Sequence, residues 1–170
     1  TTFLPDDTIP ENTFHVACAA ALAGFLSGQD RKVFFVACDR PMFWLYGRSG
    51  VDSIEQLAKG QVATFPEIAP PAKFLQELLQ DAGITARLLP ARDDIARLAL
   101  LTSGSVDGAL LSSCFTPAEV ESQGCVQLAF VGEKLRLPST GLAVSGEFLK
   151  RQSGLIATMA SVYQQAMKKV

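Results

Sequence analysis

Short apolar runs alternate with stretches whose apolar residues recur every three or four positions, and this alternation organises the chain from residue 13 onward. Phe14, Ala17, Cys18, Ala21, Leu22 and Phe25 keep helical spacing and predict a helix over 13–27, closed by Gly28. "KVFFVA" (32–37) is a continuous apolar run, as expected of a parallel strand covered on both faces. After the turn "CDRP", "MFWLYG" (42–47) predicts a second strand. "SGVDSIEQLAKG" predicts a short helix that buries Ile54, Leu57 and Ala58, and "QVATF" a strand. A helix over 71–82 follows, with Leu75, Leu78, Leu79 and Ala82 on one face and Gly83 at its end. "ARLLP" reads as a strand, and a helix carrying Ile95, Leu98 and Ala99 runs to Gly104. "DGALL" is a strand that stops at Ser112 and Ser113, with a short helix beginning near Pro117. "VQLAFVG" and "STGLAVS" are further strands, and "GEFLKRQSGLIATMASVYQQAMKKV" is helical with a break expected at Ser153-Gly154.

Strands alternating with helices of about ten residues imply βαβ units and a mainly parallel sheet. A weak repeat supports this. "AALAGFLSGQDRKVFFVACD" and "ARLALLTSGSVDGALLSSC" share the order helix, Ser-Gly, strand, small polar residue, which suggests two sheets built alike.

Composition narrows the class. The 170 residues are 48% hydrophobic and 19% charged with a formal net charge of −2, a balance typical of a soluble globular protein. There is no basic face for nucleic acid, no polybasic run for a membrane surface, and no apolar stretch near the roughly 20 residues that span a bilayer. "TTFLPDDTIPENT" lacks the basic start and apolar run of a signal peptide, and residues 1–12 read as an extended polar arm. Cys18, Cys38, Cys114 and Cys125 form no CxxC pair, and with one histidine no zinc site is expected. These cysteines are either packing residues or, for Cys38 and Cys114 at strand ends, thiols lining a pocket. His15 falls on the predicted first helix about 100° from its apolar centre, the position of a boundary residue rather than a catalyst. No G-x-S-x-G elbow and no Gly-rich nucleotide fingerprint is present, so neither catalysis nor a cofactor is expected.

"GVDSIEQLAKGQVATFP", "PPAKFLQELLQDAGI", "LLPARDDIARLALLTSGSVDGALLSS" and "LRLPSTGLAVSGEFLK" together resemble solute-binding proteins of bacterial ABC importers. The branch is the aliphatic-sulfonate and thiamine-pyrimidine one (SsuA/THI5-like, also NMT1-like), and the similarity covers about residues 13–170 through the order and spacing of these segments. The resemblance implies an α/β, type II periplasmic-binding-protein-like fold of two lobes with mainly parallel sheets and ligand between them. It implies a partial first lobe and crossing strand in 1–60, a second lobe in 61–138, and a return crossing with a first-lobe C-terminal helix in 139–170. The first lobe is then expected to be incomplete and to associate through its uncovered sheet edge. The implied partners are a small-molecule ligand and an ABC transporter permease, and the implied compartment is periplasmic or extracytoplasmic. A ligand-sensing effector domain of a regulator with the same fold is the alternative.

Ligands of open α/β sheets sit outside the carboxyl ends of the strands. Those ends present Asp39, Thr64, Phe65, Glu67, Ser112, Ser113 and Thr140 as ligand-binding candidates. For Ser112 and Ser113 the competing role is capping the helix near Pro117. Asp39 pairs either with Arg40 or with the ligand. Trp44, the only tryptophan, shares a strand face with Tyr46 opposite Phe43, and either packs in the core or stacks on a flat ligand. Pro70 and Pro71 at a helix start remove N–H donors that an anion would use, and Glu67 adds negative charge. The expected ligand is a neutral or cationic small molecule, such as a thiamine-pyrimidine-like heterocycle, rather than a strong oxyanion.

Overall fold

A computed structural model describes residues 12–169; the expected polar arm, apart from Asn12, lies outside the described residues. Two compact units emerge, one from Thr1–Pro41 with Arg136–Val170, the other from Met42–Leu135.

In the first unit β1 (His15–Ala17) runs into α1 (Cys18–Leu26), followed by β2 (Lys32–Cys38). The later segment of this unit supplies β8 (Thr140–Val144), α6 (Gly146–Arg151) and α7 (Ser153–Met167). Strand order is β1-β8-β2 and both pairings are antiparallel. Two expectations change here. The helix predicted over 13–27 begins at Cys18, because His15 and Ala17 pair with Ala143 and Thr140 of β8 and the strand ladder satisfies that backbone instead. His15 is therefore a buried strand residue rather than a helix-boundary one. β2 is antiparallel, since the neighbour that reaches it is β8, and its residues are exposed or half-buried rather than covered on both faces. β8 approaches β2 closely at Gly141, where a Cβ would fall on the Phe35 carbonyl oxygen. The C-terminal helices break at Gln152 (φ −125°, ψ 39°), one residue before the expected place.

The second unit is a three-layer structure. Its sheet has the order β5-β4-β6-β3-β7, formed by β3 (Phe43–Gly47), β4 (Gln61–Thr64), β5 (Arg87–Pro90), β6 (Gly108–Ser112) and β7 (Val126–Phe130). β4 is parallel to β5 and β6, whereas β3 lies antiparallel between β6 and β7. Side-chain alternation sends Leu45, Val62 and Leu110 to one face, where Leu75, Leu78 and Leu79 of α2 (Pro70–Asp81) cover them. Tyr46, Ala63, Ala109 and Leu111 face the other way, onto Leu98 and Leu101 of α3 (Asp94–Thr102) and Val120 of α4 (Pro117–Glu121). α5 (Val131–Lys134) ends the unit.

The sequence reading takes 42–47 as a crossing strand at the end of a partial first lobe (1–60) and begins the second lobe at residue 61, whereas the second compact unit begins at Met42. Phe43–Gly47 instead ladders with β6 and β7 and is central to the second sheet. The helix expected in 49–60 is one 3₁₀ turn (Glu55–Leu57), where the Gln56 side-chain oxygen accepts the Asp52 and Ser53 N–H groups. Ile95, expected to pack with Leu98, is 73% exposed. The rotation of α3 is set by Asp94, whose carboxylate is bonded to Ser112, so the inward positions are Arg97, Leu98 and Leu101. Nor are the two sheets alike: the repeated helix–Ser-Gly–strand segment feeds a three-stranded antiparallel sheet in one unit and a five-stranded mixed sheet in the other.

Candidate functional site

Six of the eight candidate residues belong to the second unit, at or near the carboxyl end of β4 and β6. The parallel pairing of these strands puts Thr64-Phe65 and Ser112-Ser113 at one end of the sheet. Antiparallel β3 starts there too, with Phe43 opposite Ser112 and Trp44 opposite Leu111.

Ser112 ends its strand because Asp94 holds it. The Ser112 backbone N–H donates to Asp94 Oδ1 (2.8 Å) and its hydroxyl to Asp94 Oδ2 (2.9 Å). Ser112 Oγ also accepts from the Cys114 N–H at 3.3 Å. Asp94 carries a second partner, Arg97, whose Nη2 lies 2.9 Å from Oδ1. Burial works against the Asp94 carboxylate, but the Ser112 N–H, Arg97 and the Ser112 hydroxyl outweigh it and hold the carboxyl below its usual range. Arg97 is fully buried, donates from Nη1 to the Ala91 carbonyl (3.0 Å), and lays its guanidinium 3.6 Å above the centroid of the Phe65 ring. Phe65 meets Phe43 edge-on at 5.4 Å. The Asp94–Arg97 pair thus holds Ser112 through Asp94 and Phe65 through Arg97, and Phe43 packs on Phe65. The N-cap of α4 is Thr116, in a capping box with Glu119, so neither Ser112 nor Ser113 has that role; Ser113 is exposed.

Trp44 half-buries itself in a stack on Phe130 (centroids 4.8 Å apart, planes at 20°). It shares its sheet face with Tyr46, as the alternation predicts, while Phe43 packs on the opposite cluster. Asp39 and Thr140 belong to the first unit, where Thr140 is exposed and pairs with Cys38, the residue before Asp39. Asp39 forms an exposed ion pair with Arg136 (2.8 Å), not with Arg40. Cys18 and Cys125 are buried packing residues, and burial pushes the Cys18 thiol up to about 11.

The α2 N-terminus bears on charge selectivity. Ala69 is its N-cap and makes no side-chain cap bond; Pro70 and Pro71 contribute no N–H, and the Ala72 N–H is already given to the Ala69 carbonyl at 3.0 Å. The α3 start is occupied by Asp93, which accepts the Ala96 N–H (2.9 Å), and by Asp94. The start of α2 therefore offers no free donor to an anion, and the start of α3 places two carboxylates where an anion would sit.

Between α2 and the β4–β5 edge lies a pocket of about 240 Å³ lined by Thr64, Phe65, Glu67, Ala72, Gln76, Leu88 and Pro90. Thr64 is 1% exposed and its hydroxyl has no hydrogen-bond partner. Asp94, Arg97, Ala72, Gln76, Leu88 and Pro90 were not among the expected site residues. "DDIAR" carries an i,i+3 acid–base pair directly after a strand, and Ala72 and Gln76 stand four apart on α2; both signals are visible in the sequence.

No protein-family model matches the sequence, and no curated protein matches it either. Solved structures do match. The periplasmic aliphatic sulphonate binding protein SsuA from Escherichia coli aligns with a TM-score of 0.71 at 16% identity over 85% of this chain and 50% of its own. The alkanesulfonate-binding protein SsuA from Xanthomonas axonopodis pv. citri, bound to MOPS, aligns with a TM-score of 0.69 at 17% identity over 88% of this chain and 53% of its own. The fold is that of the type II periplasmic binding proteins. This chain spans about half the length of the SsuA structures it matches. An enzyme complex shares the fold: ATP phosphoribosyl transferase (HisG:HisZ) from Thermotoga maritima aligns with a TM-score of 0.55 at 13% identity over 87% of this chain and 67% of its own. Identities this low carry the fold; they assign no ligand.

Proposed function

We propose that the chain belongs to an extracytoplasmic solute-binding protein that delivers a small organic molecule to an ABC importer permease, binding it without turnover. The observation that supports this most directly is the convergence of Thr64, Phe65 and Ser112 at one end of a sheet of the same fold as SsuA. Ser112 and Phe65 are rigidly placed by Asp94 and Arg97, which serves binding by limiting what must be ordered when ligand arrives.

The ligand in this reading is neutral or cationic, with a flat heterocycle as the type. Supporting it are the donor-free start of α2, the acid-occupied start of α3, and exposed Glu67 beside Thr64 and Phe65. An anion there gains no N–H cradle and faces a carboxylate. Trp44 is spoken for by Phe130 on one ring face, so stacking on a ligand requires its other face. Self-association of the first unit is part of the same proposal, supported by its exposed Val16, Leu26 and Val36; a clean monomer by light scattering at micromolar concentration overturns that part.

A thermal-shift panel of neutral and cationic heterocycles against sulfonates and nitrate tests the ligand class. The heterocycles are expected to give the larger shifts, and the best of them to be recovered unchanged after incubation. An alkylsulfonate as tightest binder overturns the charge argument, and product formation overturns the non-catalytic reading.

A further inference from the structure

The C-terminal helix of the first unit carries more apolar surface than its own sheet covers. One face of α7 is used: Ile156 packs with Val144 and Phe148, and Tyr163 meets the Phe35 ring edge-on at 5.9 Å. A second apolar row, Leu155, Met159, Val162 and Ala166, keeps helical spacing about 100° round from the first. Leu155 is 46% and Val162 55% exposed. A helix apolar on two faces needs two covers, and the sheet supplies one. The row is also framed by charge. Residues 153–167 hold no acid and no base, whereas Lys150 and Arg151 stand before them and Lys168 and Lys169 after.

The first residues of the chain match this row in position, length and charge. Arg151 Nη2 donates to Asn12 Oδ1 at 3.4 Å, and Phe14 packs edge-on against Phe148 of α6 at 5.6 Å. The chain therefore enters the described structure beside the amino end of α7. At about 3.3 Å per residue, residues 1–11 reach about 36 Å, against about 22 Å for the 15 residues of α7. Their sequence "TTFLPDDTIPE" has the acids Asp6, Asp7 and Glu11 and no base, and Pro5 and Pro10 bias Leu4 and Ile9 to extended backbone.

We propose that residues 1–11 dock along α7 of their own chain, with Ile9 on Leu155, Met159 and Val162 and with Asp6 and Asp7 at Lys168 and Lys169. The spacing fits. In extended chain Asp6 stands about 20 Å from Asn12, and Lys168 lies about 25 Å along the helix from Arg151, a difference that a lysine side chain spans. Glu11 stays at the other end, beside Lys150 and Arg151. The docking surface is independent of whatever ligand the second unit binds.

Zero-length carbodiimide coupling of the full chain, in an equal mixture of unlabelled and isotopically labelled protein, tests this. An amide joining Asp6 or Asp7 to Lys168 or Lys169 is expected within a single isotopic form. Amide exchange at Thr8 and Ile9 is expected to be about tenfold slower in wild type than in Val162→Asp, the protection that burying about half of an isoleucine side chain supplies. Val162 is an exposed position, so the fold survives that change while the new carboxylate displaces Ile9 and repels the acidic residues; the coupling is expected to go with the protection. Leu26→Asp, at an exposed apolar position of α1, is expected to change neither reading. Should Val162→Asp unfold the unit, Lys168→Glu combined with Lys169→Glu gives the exchange reading in its place. Coupling found only between isotopic forms means that a second copy covers α7, and overturns the proposal. Protection that survives these substitutions overturns it too, as does exchange at Ile9 as fast in wild type as in the variants.

Discussion

The two units use the same local phrase, a helix closed by Ser-Gly and followed by an apolar strand, and end in different states of burial. In the second unit that phrase becomes α3 and β6, and Leu110 and Leu111 are fully buried beneath helices on both faces. In the first it becomes α1 and β2, whose apolar residues stay in view: Leu26 is 77% exposed and Val36 43%. Val16, Leu155 and Val162 add to that surface, whereas only Ile68 and Ile95 are exposed large hydrophobics among the described residues of the second unit. Helix and strand are therefore local outcomes of the pattern, but cover is not. The ligand site argued for above lies in the unit whose sheet is covered on both sides, where side chains can be held still.

Ion pairs sharpen the contrast most. Asp94→Ala removes the partner of a fully buried arginine and the acceptor of two Ser112 bonds, and is expected to cost about 3–5 kcal/mol in urea unfolding. Asp39→Ala breaks a pair of similar length in the first unit, but one whose side chains are 60% and 58% exposed, and is expected to cost less than about 1 kcal/mol. Equal losses would remove burial as the distinguishing factor. The Asp94 pair also carries a pH signature. Because its folded pKa is depressed, its contribution is present above the ordinary carboxyl value of 3.8 and is lost as pH falls through the folded value. Asp94→Asn is expected to flatten that acid limb of a stability–pH curve.

Leucine truncation comes next in size. Leu111→Ala, at 0% exposure, is expected to cost about 2–5 kcal/mol, and Leu26→Ala, at 77%, less than about 0.5 kcal/mol. A large loss at Leu26 would mean that the first unit is covered in solution by something that buries this residue.

Elements were legible where apolar spacing was unambiguous. The α2 stripe of Leu75, Leu78 and Leu79 stands where periodicity puts it, and the strands expected at "QVATF" and "DGALL" lie within one residue of their places, at Gln61–Thr64 and Gly108–Ser112. His15–Ala17 was misread as helix because three residues satisfy either period and the decision rests with β8, more than 120 residues away in sequence. Ile95 was misplaced for a similar reason: an apolar side chain is an ambiguous guide to the face of a nine-residue helix that a carboxylate anchors. Around the site, Thr64, Phe65 and Ser112 could be found from the rule about strand ends, but the bonds that position them involve Asp94 and Arg97, two polar residues that the apolar pattern passes over. Arg97 is the extreme case, a charged residue with 0% exposure whose burial is intelligible only once Asp94, the Ala91 carbonyl and the Phe65 ring are seen around it.

The smallest effect asks whether the shared phrase is the same chemistry in both units. Gly28 and Gly104 follow the last turn of α1 and α3 after Ser27 and Ser103, with φ of +87° and +72°. Their N–H groups close the helices on the Phe25 and Leu101 carbonyls at 3.0 and 3.1 Å. A Cβ at either position meets no atom within 4 Å, so the cost of alanine is purely the left-handed backbone. That cost is about 1–2 kcal/mol per L-residue, and asparagine, which tolerates the region, should recover part of it. Gly28→Ala and Gly104→Ala are expected to lower stability by similar amounts, read as faster amide exchange in the last turn of α1 and α3 respectively. The result separates two accounts of the repeat. Similar losses mean that the turn closes each helix locally, whatever the sheet beyond it does. A loss confined to Gly104 would mean that the Ser-Gly turn matters only where the following strand is covered on both faces, and that the likeness between the two segments stops at their sequence.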